Sequence, residues 1–237
     1  MTLLEKVLKM GFEKAESLIR TGYVKLNNQT CYFPGQKISN LDSINIREKQ
    51  KYVSRGALKL QAAYDYFKLN FQDKIILDIG ASKGGFTQFC LEKGAKKVYA
   101  LDSGTNQLDY SLRINPKVCV KEKTNIKFVD KSFFNDEIDL IVCDVSFISL
   151  KKVLAVVKNL LTQGKNCITL LKPQFEANSK YVQKGGIVPK LYHKFLINRV
   201  IEFAKPNFEF LNFFESPIKG QKSKNTEYFL HFIRKND

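Results

Sequence analysis

Hydrophobic and polar positions divide this chain into two stretches with different rhythms. Leu3, Leu4, Val7 and Leu8 recur at helical spacing until Gly11, and Ala15, Leu18 and Ile19 repeat the pattern until Gly22. Residues 23–26 read as a short strand, Asn27-Asn28 and Pro34-Gly35 as turns, and Ile44 with Ile46 as a closing strand. Residues 1–46 therefore predict a small α+β module of two helices and a short sheet. Residues 47–53 are polar and basic and read as a linker, and 59–67 predicts a helix. From Lys74 onward the rhythm changes. Strands are expected at 75–79, 97–101, 117–120, 139–143, 167–171, 208–214 and 227–233, with helical stretches near 87–93, 106–113, 151–161 and 190–204. That alternation makes 54–237 an α/β domain, its sheet mainly parallel and covered on both faces. A Pro/Gly/Lys-rich loop joins the last two strands, which predicts an antiparallel pair at one edge.

Candidate chemistry begins at the first strand of this domain. The run Ile75-Ile76-Leu77-Asp78-Ile79 breaks into a loop holding Gly80, Gly84 and Gly85. A phosphate-cradling loop would read G-x-x-x-x-G-K-[ST], but Lys83 precedes the paired glycines, and G-x-G-x-x-G is also absent. Asp102 follows 24 residues after Asp78, at the end of the next strand, where a carboxylate can accept both hydroxyls of a ribose. The combination points to an adenosine cofactor without a pyrophosphate, of which S-adenosylmethionine is the common example. Asp144 and Lys172 each end a further apolar strand, so both project at the sheet edge where open α/β folds place ligands.

Charge adds a partner. Lys and Arg number 39 against 23 Asp and Glu, a net +16 with an isoelectric point near 9.5. Residues 1–52 carry nine cations against five anions, so the excess is spread over both parts. Such a surface attracts polyanions, with nucleic acid favoured over an anionic membrane. Five cysteines without a C-x-x-C fit reduced thiols in a cytoplasmic protein, and two histidines argue against a metal centre. The start resembles no secretory signal and no apolar run reaches membrane-spanning length, so no membrane partner is expected.

Several motifs occur in order: Ser54-Arg55-Gly56-Ala57-Leu58-Lys59-Leu60, the loop at 78–87, Asp102-x-Gly104-x-x-Gln107-Leu108, Cys143-Asp144-Val145-Ser146-Phe147-Ile148-Ser149, Leu171-Lys172-Pro173-Gln174-Phe175-Glu176, Lys184-Gly185-Gly186 and Ser216-Pro217-Ile218-Lys219-Gly220. Together they resemble the TlyA family end to end. These are ribosomal RNA 2′-O-methyltransferases, often labelled hemolysins, with an S4-like RNA-binding domain before an FtsJ-like domain. The resemblance implies a Rossmann-like methyltransferase sheet, S-adenosylmethionine as cofactor, ribosomal RNA or ribosomal subunits as partner, and no metal. It implies a catalytic tetrad of Lys59, Asp144, Lys172 and Glu227. It places the cofactor against Asp78, Gly80, Ser82, Gly84, Gly85, Phe86, Asp102, Asn125 and Asp144. Basic residues at the domain junction (Arg47, Lys49, Lys51, Arg55) and near the tetrad (Lys219, Lys222, Lys224) are the expected RNA contacts.

A ribose hydroxyl is a weak acid and needs a base within reach. Burial and the neighbouring Lys59 would favour a neutral Lys172, and Asp144 and Glu227 would oppose it, so the sign stays open. Two departures from the family stand out. Lys83 replaces a threonine in the cofactor loop. Met1-Thr2-Leu3 and Gly11-Phe12-Glu13 stand where S4-like domains usually carry arginine. Two rival readings are an inactive RNA-binding homologue and a membrane-lytic protein. The second lacks any long basic amphipathic helix.

Overall fold

The computed structural model describes residues 1–46, 51–220 and 225–236. The chain divides into two compact units, 1–51 and 52–237.

In the smaller unit, α1 (Leu3–Lys9) starts with a reciprocal cap. Glu5 N donates to Thr2 Oγ1 at 3.2 Å and Thr2 N donates to Glu5 Oε2 at 2.9 Å. This Thr-x-x-Glu box satisfies two amides that a helix start would otherwise leave free. After α2 (Ala15–Arg20) come β1 (Val24–Leu26), β2 (Gln29–Thr30) and β3 (Ile44–Ile46). They form an antiparallel sheet with β1 central. Leu3, Val7, Ala15, Ile19 and Val24 make its core. The two helices and closing strand fall where the periodicity put them, and β2 is an addition.

The larger unit begins with α3 (Gly56–Phe67), followed by β4 (Ile75–Ile79), α4 (Gly85–Glu92), β5 (Lys97–Leu101), α5 (Tyr110–Arg113), β6 (Val118–Lys121), β7 (Ile138–Cys143), α6 (Leu150–Leu160), β8 (Leu161–Leu171), α7 (Pro173–Glu176), α8 (His193–Ala204), β9 (Phe208–Glu215) and β10 (Tyr228–Arg234). The sheet order is β6-β5-β4-β7-β8-β10-β9. β4 to β8 pair in parallel, and β10 runs antiparallel between β8 and β9. Alternate strand residues supply two cores. Leu77, Tyr99, Ile141 and Cys143 pack with α6 and α8, while Ile76, Val98, Leu140 and Val142 pack with α3 and α4. Each fully buried Leu, Ile or Phe in these layers contributes about 1.5–3 kcal/mol of transfer free energy. Tyr52 packs on Phe89 at 6.4 Å between ring centroids and so joins this unit's core.

The expected helix at 106–113 is shortened to α5. The backbone amides of Asn106, Gln107 and Leu108 all donate to the Glu122 carboxylate at 2.9–3.0 Å, which holds them as a loop. The strand expected at 167–171 begins earlier because Leu161 already pairs with Ile138 of β7. The helix expected from 190 starts as a single 3-10 turn and becomes α8 at His193.

Candidate active site

The carboxyl ends of β4, β5 and β7 converge on one cleft. Gly80 N and Ala81 N donate to Leu101 O at 2.8 and 3.1 Å, and Asp144 N donates to Ile79 O at 2.9 Å. These bonds tie the glycine loop to the strand on either side. Gly80 has φ +85, and a Cβ there would collide with the backbone carbonyl of Asp144, so only glycine fits. The Asp102 carboxylate takes Ser82 N on one oxygen at 2.8 Å and Gly104 N on the other at 2.7 Å. It thereby stabilises Ser82 at φ +48, an uncommon conformation for a residue with a side chain. Each oxygen retains a lone pair for a ligand hydroxyl.

The resulting cleft has a volume of about 430 Å³, the size range of small-molecule sites. Five residues of the expected cofactor set line it: Gly80, Ser82, Asp102, Asn125 and Asp144. Leu101, Ile126 and Ile148 give it apolar walls. Gly84, Gly85 and Phe86 lie buried behind the loop, with Phe86 stacked on Phe229. Asp78 also lies outside the cleft wall. It is fully buried and accepts the Thr87 hydroxyl at 2.7 Å, and burial pushes its carboxyl up to about 7. Its place is beneath the loop, joining β4 to α4. Lys83 is exposed and does not line the cleft.

Four charged side chains meet where Asp144 lines the cleft. Lys172 Nζ pairs with Asp144 Oδ1 at 2.6 Å and hydrogen-bonds Ser146 Oγ at 2.9 Å. Lys59, from α3, donates to Glu227 Oε2 at 2.6 Å and lies 3.9 Å from Asp144 Oδ2. The Glu227 side chain is only 3% exposed and that of Lys59 11%, so this pair is desolvated. Asp144 thus faces both lysines and the cleft at once. Lys59 comes from α3, Asp144 and Lys172 directly follow β7 and β8, and Glu227 directly precedes β10, so the sheet order brings the four together.

Glu122 and Glu176 also shape the site. Burial works against the charged form of Glu122, but Arg113 at 2.8 Å and the three backbone amides outweigh it and hold the carboxyl down at about 2. This anion organises the loop that brings Gln107 to the cleft. Glu176 is 7% exposed. Burial pushes its carboxyl up, although Ser149 Oγ and Leu150 N both donate to it at 2.6 Å. Both acids act through contacts distant in sequence. Ser146 and Phe147 fall inside the motif at 143–149. Phe147 has φ +65, is 90% exposed and lines the cleft.

Of the expected RNA contacts, Lys51, Arg55 and Lys219 are exposed. Arg47, Lys49, Lys222 and Lys224 lie outside the described residues. Among the described residues, no group of three or more His, Cys, Asp or Glu side chains could hold a metal ion. No described helix is long and apolar enough to cross a membrane.

Comparison with known proteins shows the family. The profile described as FtsJ-like methyltransferase matches residues 52–234. Hemolysin A of Brachyspira hyodysenteriae is 44% identical, covering 93% of this chain and 92% of its own. The 16S/23S rRNA (cytidine-2′-O)-methyltransferase TlyA of Mycobacterium tuberculosis is 33% identical over 99% of this chain and 89% of its own. A solved hemolysin-named protein from Streptococcus thermophilus superposes with a TM-score of 0.77 at 35% identity, covering 100% of this chain and 89% of that one. More distant S-adenosylmethionine-dependent methyltransferases share the Rossmann-like sheet. The chain therefore belongs to the TlyA-like group of hemolysin-named ribosomal RNA methyltransferases, its second unit an FtsJ-like methyltransferase domain.

Proposed function

We propose that this protein transfers a methyl group from S-adenosylmethionine to a ribose 2′-oxygen of ribosomal RNA, on a cytidine. The observation that carries this reading is Asp144, which lines the cleft and pairs with Lys172 at 2.6 Å. The cofactor cleft and the lysine-acid cluster are thus one site.

The chain's residues suit the cofactor. Asp102 would accept the ribose hydroxyls of the adenosine, and Asn125 and the apolar walls would take the base. The Gly80 backbone would meet the ligand closely, and the negative Asp144 suits a sulfonium. Bound there, S-adenosylmethionine supplies an electrophilic methyl group. Lys172 Nζ, fixed by Asp144 and Ser146, orients the incoming 2′-hydroxyl. The hydroxyl proton passes to the Asp144 carboxylate, which Lys172 Nζ holds in place at 2.6 Å. Lys59, held by Glu227 at 2.6 Å, faces Asp144 Oδ2 from the other side at 3.9 Å. Exposed Lys51, Arg55 and Lys219 would contact RNA phosphates, which makes binding salt-sensitive.

Mapping 2′-O-methyl groups on ribosomal RNA from cells with and without the gene tests this. A cytidine whose methyl group disappears with the gene is expected. Identical maps would overturn the reading.

A further inference from the structure

Residues 177–201 hold five cations, Lys180, Lys184, Lys190, Lys194 and Arg199, and no Asp or Glu. Three aromatic rings gather in the same segment. Tyr181 stands 4.7 Å from Tyr192 and 6.2 Å from Phe195 between ring centroids. Lys180 Nζ lies 5.0 Å from the Tyr181 ring centre, and the Arg199 guanidinium 5.6 Å from that of Phe195. A cluster serving only to close the loop over α8 would be buried. Here Phe195 is 48% exposed and the adjoining Leu191 73%. The packing is carried instead by Val188, His193 and Leu196 beneath, all 4% exposed or less.

Both ends of the segment are fastened to the active site. Upstream, α7 begins directly after Lys172 and ends at Glu176, shortly before Tyr181. Downstream, the His193 ring meets the Tyr228 hydroxyl at 3.0 Å and the Val188 carbonyl at 2.8 Å, and Tyr228 follows Glu227. The tip at 184–186 is fixed as well, since Asn225 Nδ2 donates to Gly186 O at 2.7 Å.

We infer that this aromatic and basic face, centred on Tyr181, Phe195, Lys180 and Lys184, is a second RNA-contact surface that takes unpaired nucleotides flanking the target ribose. The chemistry fits single-stranded RNA. The exposed Phe195 ring and the half-buried Tyr181 beside it offer stacking platforms to bases of any sequence, and the adjoining cations meet the phosphates. Lys190 contributes less, because it pairs with Glu215 at 3.3 Å. The inference deepens the proposed function and rests on ribosomal RNA being the substrate.

The test compares wild type with a Lys180→Gln/Lys184→Gln double variant and with Phe195→Leu, which keeps apolar bulk. Affinity for protein-free ribosomal RNA and for intact ribosomal subunits is measured across a salt series, alongside S-adenosylmethionine affinity and methyl transfer. The lysine variant should bind both RNA forms about tenfold more weakly, with the salt slope smaller by roughly 1 per lysine removed. Phe195→Leu should weaken binding about tenfold with the slope unchanged. Cofactor affinity should stay at the wild-type value, because none of these residues lines the cleft. Wild-type RNA affinity and slope in both variants would overturn the inference. A loss seen with intact subunits alone would assign the surface to a ribosomal protein and overturn it too. A wild-type protein that binds RNA through this face yet transfers no methyl would remove the proposed function and overturn the placement of the surface beside a target ribose, leaving an RNA contact alone.

Discussion

Glu176 and Ser149 are joined by a 2.6 Å hydrogen bond that links the two segments carrying Lys172 and Asp144. The same carboxylate accepts Leu150 N, also at 2.6 Å, at the start of α6. Glu176 closes the short helix that Lys172 opens, and Ser149 ends the loop that carries Asp144 and Ser146. The Lys172–Asp144 contact is thus closed into a ring by a second, buried contact. Glu176→Gln offers one acceptor where two are needed. It should lower kcat about tenfold by loosening that geometry, with the KM for S-adenosylmethionine within about twofold of wild type. Steady-state kinetics that show KM rising while kcat holds would remove the positioning role.

The Lys59–Glu227 pair makes a thermodynamic prediction. Removing one partner strands a buried charge and should cost about 3 kcal/mol, whereas removing both should cost less than the two single losses together. Urea unfolding of Lys59→Met, Glu227→Gln and the double variant checks this. Strictly additive losses would mean that the pair is not energetically coupled.

Lys83, which the family resemblance marks as a departure in the glycine loop, is exposed. Lys83→Thr should change S-adenosylmethionine affinity by about twofold or less, the range of a surface substitution. Calorimetric titration is the check. A tenfold change would mean that the lysine reaches the ligand.

Asp78 gives a pH dependence. Burial raises its carboxyl from the ordinary 3.8 to about 7; Asp144 and Asp102 push the same way and the Thr87 hydrogen bond opposes them. Between these values the folded chain keeps a proton that the unfolded chain has released. Stability from this group is therefore full below about pH 4 and is lost as pH rises through about 7. Asp78→Asn cannot ionise and should flatten that limb. Thermal unfolding at about pH 5 and about pH 8 compares the two. Equal loss of stability on raising the pH would contradict the assignment.

What could be read from the sequence depended on how local each cause was. β4, the glycine loop and α4 were legible because an apolar run, φ-demanding glycines and helix spacing are written in one contiguous run, 75–92. Asp144 and Lys172 were legible as strand ends, since a parallel strand delivers its last residue to one edge. Asp78 differs. Its carboxylate alternates onto the face covered by α4, and the residue string alone does not distinguish a carboxylate aimed at a ligand from one buried against Thr87. The missing first turns of the 106–113 helix trace to Glu122, which lies at least fourteen residues from the amides it captures. Glu176 was likewise visible only as part of a motif, because its partners sit 26 and 27 residues away.

The central claim is that the cleft and the lysine-acid cluster form one methyl-transfer site. The most direct test incubates purified protein with ribosomal subunits and methyl-labelled S-adenosylmethionine, then locates the label by mass spectrometry of RNA fragments. The account predicts label on a single ribose 2′-oxygen with wild type, and a loss of about a hundredfold or more in rate with Lys172→Ala while that variant still binds the cofactor. Full methyl transfer by Lys172→Ala, or label on a base instead of a ribose, would contradict it.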